Sequence, residues 1–280
     1  MSERAPLIIS IQSQVVHGHV GNSAAMFPMQ AAGLEVAAIP TVIFSNTPDY
    51  PTLRGAPVPA DLFADLLLGA IERELPQRAT WIMSGYIGSV EVGQLTADFI
   101  ARCKELNPNL RYLCDPVMGD HAPGLYVPAE LARLMRDHLL PMADIATPNS
   151  FELGHLTGRQ IQTLQDVRDA AQDLHMAAQS HLIATGCILD DTPAGMLESI
   201  VLGPDTVTRH ATPYLPIAIP GTGDLFAGIV MACIGKGHSL DDSVVIAQRL
   251  TGRALAHAAK VNAREIVLYE PEFRRVLLEI

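Results

Sequence analysis

Along most of the chain, short apolar runs alternate with longer segments whose apolar residues recur at helical spacing. Leu7 to Ser13 and Glu35 to Phe44 read as buried strands, and between them the loop Gly18 to Gly21 leads into a small, apolar helix, Ser23 to Ala32. Trp81-Ile82-Met83, Tyr112-Leu113-Cys114, Ala143 to Ala146 and His181 to Ala184 are too short for helices and stop at polar or turn residues. Leu62 to Glu74, Val92 to Lys104, Ala129 to Leu139 and Leu164 to Gln179 carry the helical period instead. Such alternation predicts an α/β fold, its sheet mostly parallel and its crossovers right-handed. Met196 to Leu202 and Thr206 to Thr208, joined by Gly203-Pro204-Asp205, predict a hairpin at one sheet edge. Helices over Leu225 to Gly235, Leu240 to Ala259 and Phe273 to Leu278 follow. The segment Ser45 to Ala60 is polar, proline-rich and without either period, which leaves a lid or an edge excursion open. With no repeat, low-complexity run or linker, residues 1–280 are expected to form one domain.

Composition narrows the function classes. With 49% hydrophobic and 18% charged residues the chain can bury a large core. A net charge of -11 and no basic stripe argue against a nucleic-acid partner, while anionic small molecules remain compatible because helix ends bind phosphate with little net positive charge. Cys103, Cys114, Cys187 and Cys233 are scattered and form no C-x-x-C pair, so reduced thiols and a cytoplasmic protein are expected. The apolar run Leu7 to Ile11 is too short for a signal core or a membrane span, and neither export nor a membrane role is expected.

The chemistry concentrates at Pro220-Gly221-Thr222-Gly223-Asp224, a turn opening into an apolar helix. Glycines there let backbone N–H groups converge on an anion at the positive end of the helix. Asp224 is then either a helix cap or a base beside an anion pocket, placed to take a proton from a hydroxyl attacking a phosphoryl group. If it lies in the first helical turn, the dipole is expected to lower its pKa. Ser13, Ser84, Asp115, Asn149 and Thr185 each stand at or just past the C-terminal end of an apolar run, the edge where open α/β sheets place their ligands. Asp115, Asp120 and Glu152 are oxygen donors of the kind that suit Mg²⁺, and Asn149 with Glu152 equally fits a capping box. No P-loop is present, and Gly18 and Gly21 do not make a dinucleotide fingerprint. His17 and His19 lack further ligands and read as loop residues, Met26 and Met29 as core, and Lys236 as solvent-facing.

These residues match a known family. Gly221-Thr222-Gly223-Asp224 before an apolar helix is similar to the signature of the ribokinase superfamily of ATP-dependent kinases. Ile11 to Ala25, Phe44-Ser45-Asn46, Ser84 to Ser89 and Cys114-Asp115-Pro116-Val117-Met118-Gly119-Asp120 narrow it, because together they resemble the pyridoxal kinase family from about Ile8 onward. The resemblance implies a ribokinase-like three-layer fold and a cytoplasmic homodimer that phosphorylates the 5′-hydroxyl of pyridoxal, pyridoxine or pyridoxamine with MgATP, and it leaves room for a monovalent cation. It implies Asp224 as base, Gly221, Thr222 and Gly223 as the anion hole, and Ser13, Tyr86, Thr47 and Pro48 around the substrate. Asp115 and Glu152 would act on Mg²⁺ through water, with Tyr126, Thr147, Asn149 and Thr185 near ATP. Two departures stand out. Ser45-Asn46-Thr47-Pro48 occupies the place of a family Ser-Asn-His-Thr, so that Pro48, with neither hydroxyl nor backbone donor, replaces the threonine, and either Thr47 compensates or substrate preference changes. Gly186 stands where some relatives carry a serine. A kinase of hydroxymethylpyrimidine and a non-catalytic carrier of pyridoxal phosphate are the alternatives; the Gln14-Val15-Val16-His17 loop disfavours the first and the intact glycine turn the second.

Overall fold

The computed structural model describes residues 5–122 and 124–280. Its elements in chain order are β1 (Leu7–His17), α1 (Asn22–Ala31), β2 (Glu35–Asn46), β3 (Gly55–Pro57), α2 (Ala60–Glu72), α3 (Leu75–Arg78), β4 (Ala79–Ser84) and α4 (Val90–Leu106). There follow β5 (Arg111–Cys114), β6 (Gly119–Asp120), β7 (Gly124–Leu125), α5 (Ala129–Leu134), β8 (Ile145–Ala146), α6 (Ser150–Thr157), α7 (Leu164–Asp173) and β9 (His181–Cys187). The chain closes with β10 (Met196–Leu202), β11 (Val207–Pro213), α8 (Thr222–Gly235), α9 (Leu240–Lys260) and α10 (Pro271–Leu277).

Nine strands form one sheet in the order β11-β10-β9-β8-β5-β4-β1-β2-β3. The run from β9 to β2 is parallel, and antiparallel strands close both edges. The two faces are read directly from strand alternation: Leu7, Ile9 and Ile11 pack with Phe63 and Ile100, whereas Ile8 packs on the other side with Met29 and Ile229. Helices α2, α4, α5, α6 and α7 cover the first face and α1, α8, α9 and α10 the second, giving three layers. No helix among the described residues is long and apolar enough to cross a membrane.

Several boundaries differ from the sequence expectation. β1 runs past Ser13 to His17, and the register against β2 shifts between Gln12 and Gln14. A bulge there re-aims side chains without ending the strand. The helix expected to reach Gln179 stops at Asp173, with His175 in the left-handed region at φ 51°. The helix expected over Ala129 to Leu139 is α-helical only to Leu134 and finishes in a π turn. The proline-rich segment is the edge excursion: Gly55–Pro57 pairs antiparallel with Val42–Phe44.

Helix α8 is buried continuously from Asp224 to Cys233, as expected of a helix that is apolar all round. It carries no side-chain cap. Burial fixes it instead, since Leu225, Ile229 and Val230 contribute about 1.5–3 kcal/mol each against about 1 kcal/mol for a missing cap. Gly228 admits α1 at close range: a Cβ there would lie 2.6 Å from Ala25 Cα. This packing sets the start of α8 against the loop that precedes α1.

Candidate active site

Strand register brings the predicted strand-end residues side by side. Gly85 N–H donates to Ile11 O (3.1 Å), Asp115 N–H to Ser84 O (2.9 Å), Thr147 N–H to Cys114 O (3.0 Å) and Thr185 N–H to Pro148 O (2.9 Å). Asp115 after β5, Thr147 after β8 and Thr185 near the end of β9 therefore open onto one edge of the sheet. Ser84 does not join them. Its hydroxyl lies 2.6 Å from that of the fully buried Tyr112, so it completes the core.

The glycine turn lies at the same edge. Gly221 is the N-cap of α8 in the left-handed region (φ 86°), and a Cβ there would collide with the carbonyl of His19. The hydrogen-bond ladder begins with Leu225 N–H on Gly221 O, which places the N–H groups of Thr222, Gly223 and Asp224 ahead of it. Thr222 is held by its hydroxyl on Ile219 O (2.6 Å), and Gly223 is exposed. These are the ingredients of an anion site.

Asp224 is buried in the first turn of α8 but does not cap it. Burial raises its pKa, and the Gly21 N–H pulls it part of the way back. The expected lowering by the helix dipole is thus overturned by desolvation, which favours the neutral acid. A carboxylate raised toward neutrality is a stronger proton acceptor than an ordinary one. Its Oδ1 is buried and has no hydrogen-bond partner among the described residues.

Asp115 faces the same turn: a Cβ on Gly223 would lie 3.9 Å from Asp115 Oδ2. Its Oδ1 accepts the Thr147 hydroxyl at 3.0 Å, while Oδ2 is buried without a partner. Burial, then the charges of Glu152 and Asp224, hold Asp115 well above the usual carboxylate range. Glu152 is also pushed up, to about 8, mainly by burial. Both of its oxygens serve the backbone, Oε1 accepting from Met118 N–H (3.0 Å) and Oε2 from Asn149 N–H (2.9 Å). The Asn149 side chain accepts from Glu152 N–H (2.8 Å) and donates to Gly119 O (2.9 Å). The capping-box alternative therefore describes both residues, and it ties the loop after β5 to α6. Among the described residues no cluster of three or more His, Cys, Asp or Glu side chains is arranged to enclose a metal ion.

The remaining predicted residues fall in two groups. Tyr126 is exposed, and its ring lies 6.5 Å from that of half-buried Tyr86. Ser13 is buried at the bulge, where Gly21 packs on its hydroxyl so closely that a Cβ would collide. Thr47 is buried at the end of β2, and its hydroxyl donates to Glu265 Oε1 at 3.2 Å. Pro48 is exposed. His17 ends β1 and pairs with Asn46 instead of lying in the loop, His19 is a loop residue, Met29 is core, Met26 half-buried and Lys236 exposed. Two participants escaped the sequence reading. Gly21, within the recognised loop, acts on the pKa of Asp224, whereas Glu265 lies in an aperiodic stretch with no local signal.

Comparison with known proteins places this geometry. The profile of the phosphomethylpyrimidine kinase family matches residues 37–268. The pyridoxal kinase of Leifsonia xyli subsp. xyli is 38% identical over 225 residues, with 80% of each chain covered. The pyridoxine/pyridoxal/pyridoxamine kinase of Bordetella avium is 36% identical, with 93% of this chain and 88% of its own covered. Among solved structures, the pyridoxal kinase of Leishmania donovani in complex with ADP and pyridoxine superposes with a TM-score of 0.87 at 28% identity, covering 97% of this chain and 94% of its own. The chain belongs to the phosphomethylpyrimidine kinase family as that profile defines it and, within it, to the pyridoxal kinases of the ribokinase superfamily.

Proposed function

We propose that residues 1–280 act as one kinase domain that phosphorylates B6 vitamers, with Asp224 as general base. The activity is that of its relatives, ATP-dependent phosphorylation of pyridoxal and its congeners in vitamin B6 salvage. The observation that carries the residue assignment is the buried, unpartnered Oδ1 of Asp224 beside N–H groups that stand ahead of the helical ladder. In the step we assign, the 5′-hydroxyl oxygen attacks the γ-phosphorus of ATP and its proton passes to Asp224. The bond from that phosphorus to the β–γ bridging oxygen breaks, releasing ADP and the vitamer 5′-phosphate. The N–H groups of Gly221, Thr222 and Gly223 hold the phosphoryl oxygens as their charge builds.

Supporting roles follow from placement. Ser13, Thr47 and Tyr86 line the vitamer end, and Tyr126, Thr147, Asn149 and Thr185 the nucleotide end. The acceptor chemistry fits Mg²⁺: Asp115 keeps a buried oxygen without a partner, and the charges of Glu152 and Asp224 add to burial in raising its pKa. Asp115 would hold the ion, with Glu152 reaching it through water because its oxygens already serve the backbone. Bound there, Mg²⁺ supplies positive charge to the phosphates. Repeating the assay in K⁺ and in Na⁺ reads any monovalent requirement. A homodimer is supported by exposed Leu62, Leu66 and Leu68 on α2 and Ile43 on β2, and a cytoplasmic location by four buried free cysteines.

A single experiment separates the readings. ATP consumption is measured side by side on pyridoxal, pyridoxamine and hydroxymethylpyrimidine. Turnover on the vitamers well above that on the pyrimidine is expected; the reverse order establishes the pyrimidine kinase, and tight pyridoxal phosphate binding without turnover establishes a carrier.

A further inference from the structure

The carboxylate of Glu265 enters the vitamer end of the site from the far C-terminal segment. Its side chain is 12% exposed, and the residues that follow it, Ile266, Val267 and Leu268, are buried and anchor the segment. One oxygen, Oε1, accepts the Thr47 hydroxyl at 3.2 Å and lies 3.8 Å from His17 Nε2. The other, Oε2, is buried with no partner among the described residues and packs directly on Gly18. Gly18 adopts φ 97°, and any Cβ there would collide with the carboxylate. The loop is thus shaped around this side chain.

That loop leads to the reaction centre. Three residues beyond Gly18, Gly21 packs on the Ser13 hydroxyl, and a Cβ on Gly221 at the start of α8 would collide with the His19 carbonyl of the same loop. Glu265 therefore touches both walls that flank Ser13: the end of β2 through Thr47, and the loop between β1 and α1 through Gly18. A buried carboxylate that leaves one oxygen unmatched is costly, and it persists where it holds other groups in place.

We propose that Glu265 is a positioning residue that acts through Thr47 and Gly18 to set the walls of the vitamer pocket, a role that rests on the kinase reading above. The Thr47 hydroxyl is committed to this carboxylate, so it does not stand in for the threonine absent at Pro48. The positioning acts on vitamer binding and leaves the nucleotide end, built from β5, β8 and α6, untouched.

The test compares wild type, Glu265→Ala, Glu265→Gln, Thr47→Val and the Glu265→Ala/Thr47→Val double variant in the full-length chain. Steady-state constants for pyridoxal and ATP are measured together with hydrogen exchange of residues 17–21 and 46–50 in the absence of substrate. Glu265→Ala is expected to raise the pyridoxal KM about tenfold or more, the scale of one hydrogen bond to a charged group, and to speed exchange in both segments. The ATP KM is expected to stay within about twofold, as for a change remote from that end. Glu265→Gln, which still accepts from Thr47, should recover most of the loss, and the double variant should fall little below the worse single one. Thr47→Val carries the same KM split should Glu265→Ala fail to fold. An unchanged pyridoxal KM, a parallel rise in both KM values, or additive effects of the two substitutions overturns the proposal. If wild type does not turn over pyridoxal, the kinase reading fails by itself, and unaltered exchange in the two segments then overturns the positioning role separately.

Discussion

Asp115 lies against the turn that carries Asp224, its Oδ2 3.9 Å from where a Cβ on Gly223 would stand; both carboxylates are buried with one oxygen that no described residue satisfies, and the charge of Asp224 adds to burial and Glu152 in raising the pKa of Asp115. Buried carboxylates with unmatched oxygens and raised pKa values mark a site suited to a charged ligand. Their surroundings differ: Asp115 is fixed by the Thr147 hydroxyl, while the Gly21 N–H pulls the raised pKa of Asp224 part of the way back, and the proposed mechanism uses the first at the nucleotide end and the second at the vitamer end.

Asp224→Ala and Asp224→Asn should each lower kcat by about 10²- to 10⁴-fold, the usual contribution of a general base. Nucleotide affinity should change little, because Thr147, Asn149 and Thr185, assigned to the nucleotide, are held by Asp115, Gly119 and Pro148 and not by Asp224. Calorimetric titration with MgADP beside steady-state turnover checks both halves. A variant retaining full turnover would remove Asp224 from the mechanism.

Stability should fall as pH rises. Asp115, Glu152 and Asp224 all have folded pKa values above those of an unfolded chain, so the folded state binds more protons across the intervening range. Their contribution is complete below the ordinary carboxylate range and is lost as pH climbs, for Glu152 until about 8. The Tm of the ligand-free protein should therefore drop between about pH 5 and pH 8. Asp115→Asn, which still accepts from Thr147, should raise the Tm at the upper end and flatten the profile. MgADP should stabilise wild type more than this variant. Thermal melts across that range, with and without MgADP, decide it; a variant no more stable than wild type at the alkaline end would contradict the assigned burial of charge.

How far these residues could be read beforehand depends on range. The sheet and its helices were legible because burial of a parallel strand writes a local apolar run, and the Gly221 to Asp224 turn was legible because glycine and proline punctuate the chain where they stand. The end of β1 was not, since a bulge after Gln12 lets polar residues continue the strand. The direction of the Asp224 pKa shift was misread for a related reason: helix position is local, but the burial that outweighs it comes from the fold. Glu265 was invisible, because the hydroxyl it binds lies 218 residues away in sequence.

Two glycines in neighbouring helices should respond oppositely to the same substitution. Gly228→Ala forces a methyl group to within 2.6 Å of Ala25 Cα between α1 and α8, an overpacking expected to cost about 1–3 kcal/mol. Gly252→Ala in α9 meets nothing within 4 Å and should stabilise by about 0.5–1 kcal/mol through helix propensity. Denaturant unfolding of the two variants tests the contrast. Because Gly228 sets the approach of α8 to α1, its alanine variant should also lower kcat, whereas Gly252→Ala should leave it unchanged.

The departure at Pro48 is the place where family resemblance and geometry pull apart. Resemblance puts a substrate-facing threonine there, yet Pro48 is exposed on the turn after β2, while the neighbouring Thr47 is buried with its hydroxyl on Glu265. A hydroxyl restored at position 48 would begin in solvent and would first have to be drawn inward. Pro48→Thr should therefore change the pyridoxal KM by no more than about twofold, as expected of an exposed position. Thr47→Val should have the larger effect, because it leaves the Glu265 carboxylate short of its donor. Measuring both variants on pyridoxal and pyridoxamine ranks the two positions directly. A large gain in affinity from Pro48→Thr would mean that the turn closes over the vitamer far enough to bring residue 48 into contact, and the resemblance would then outweigh the geometry.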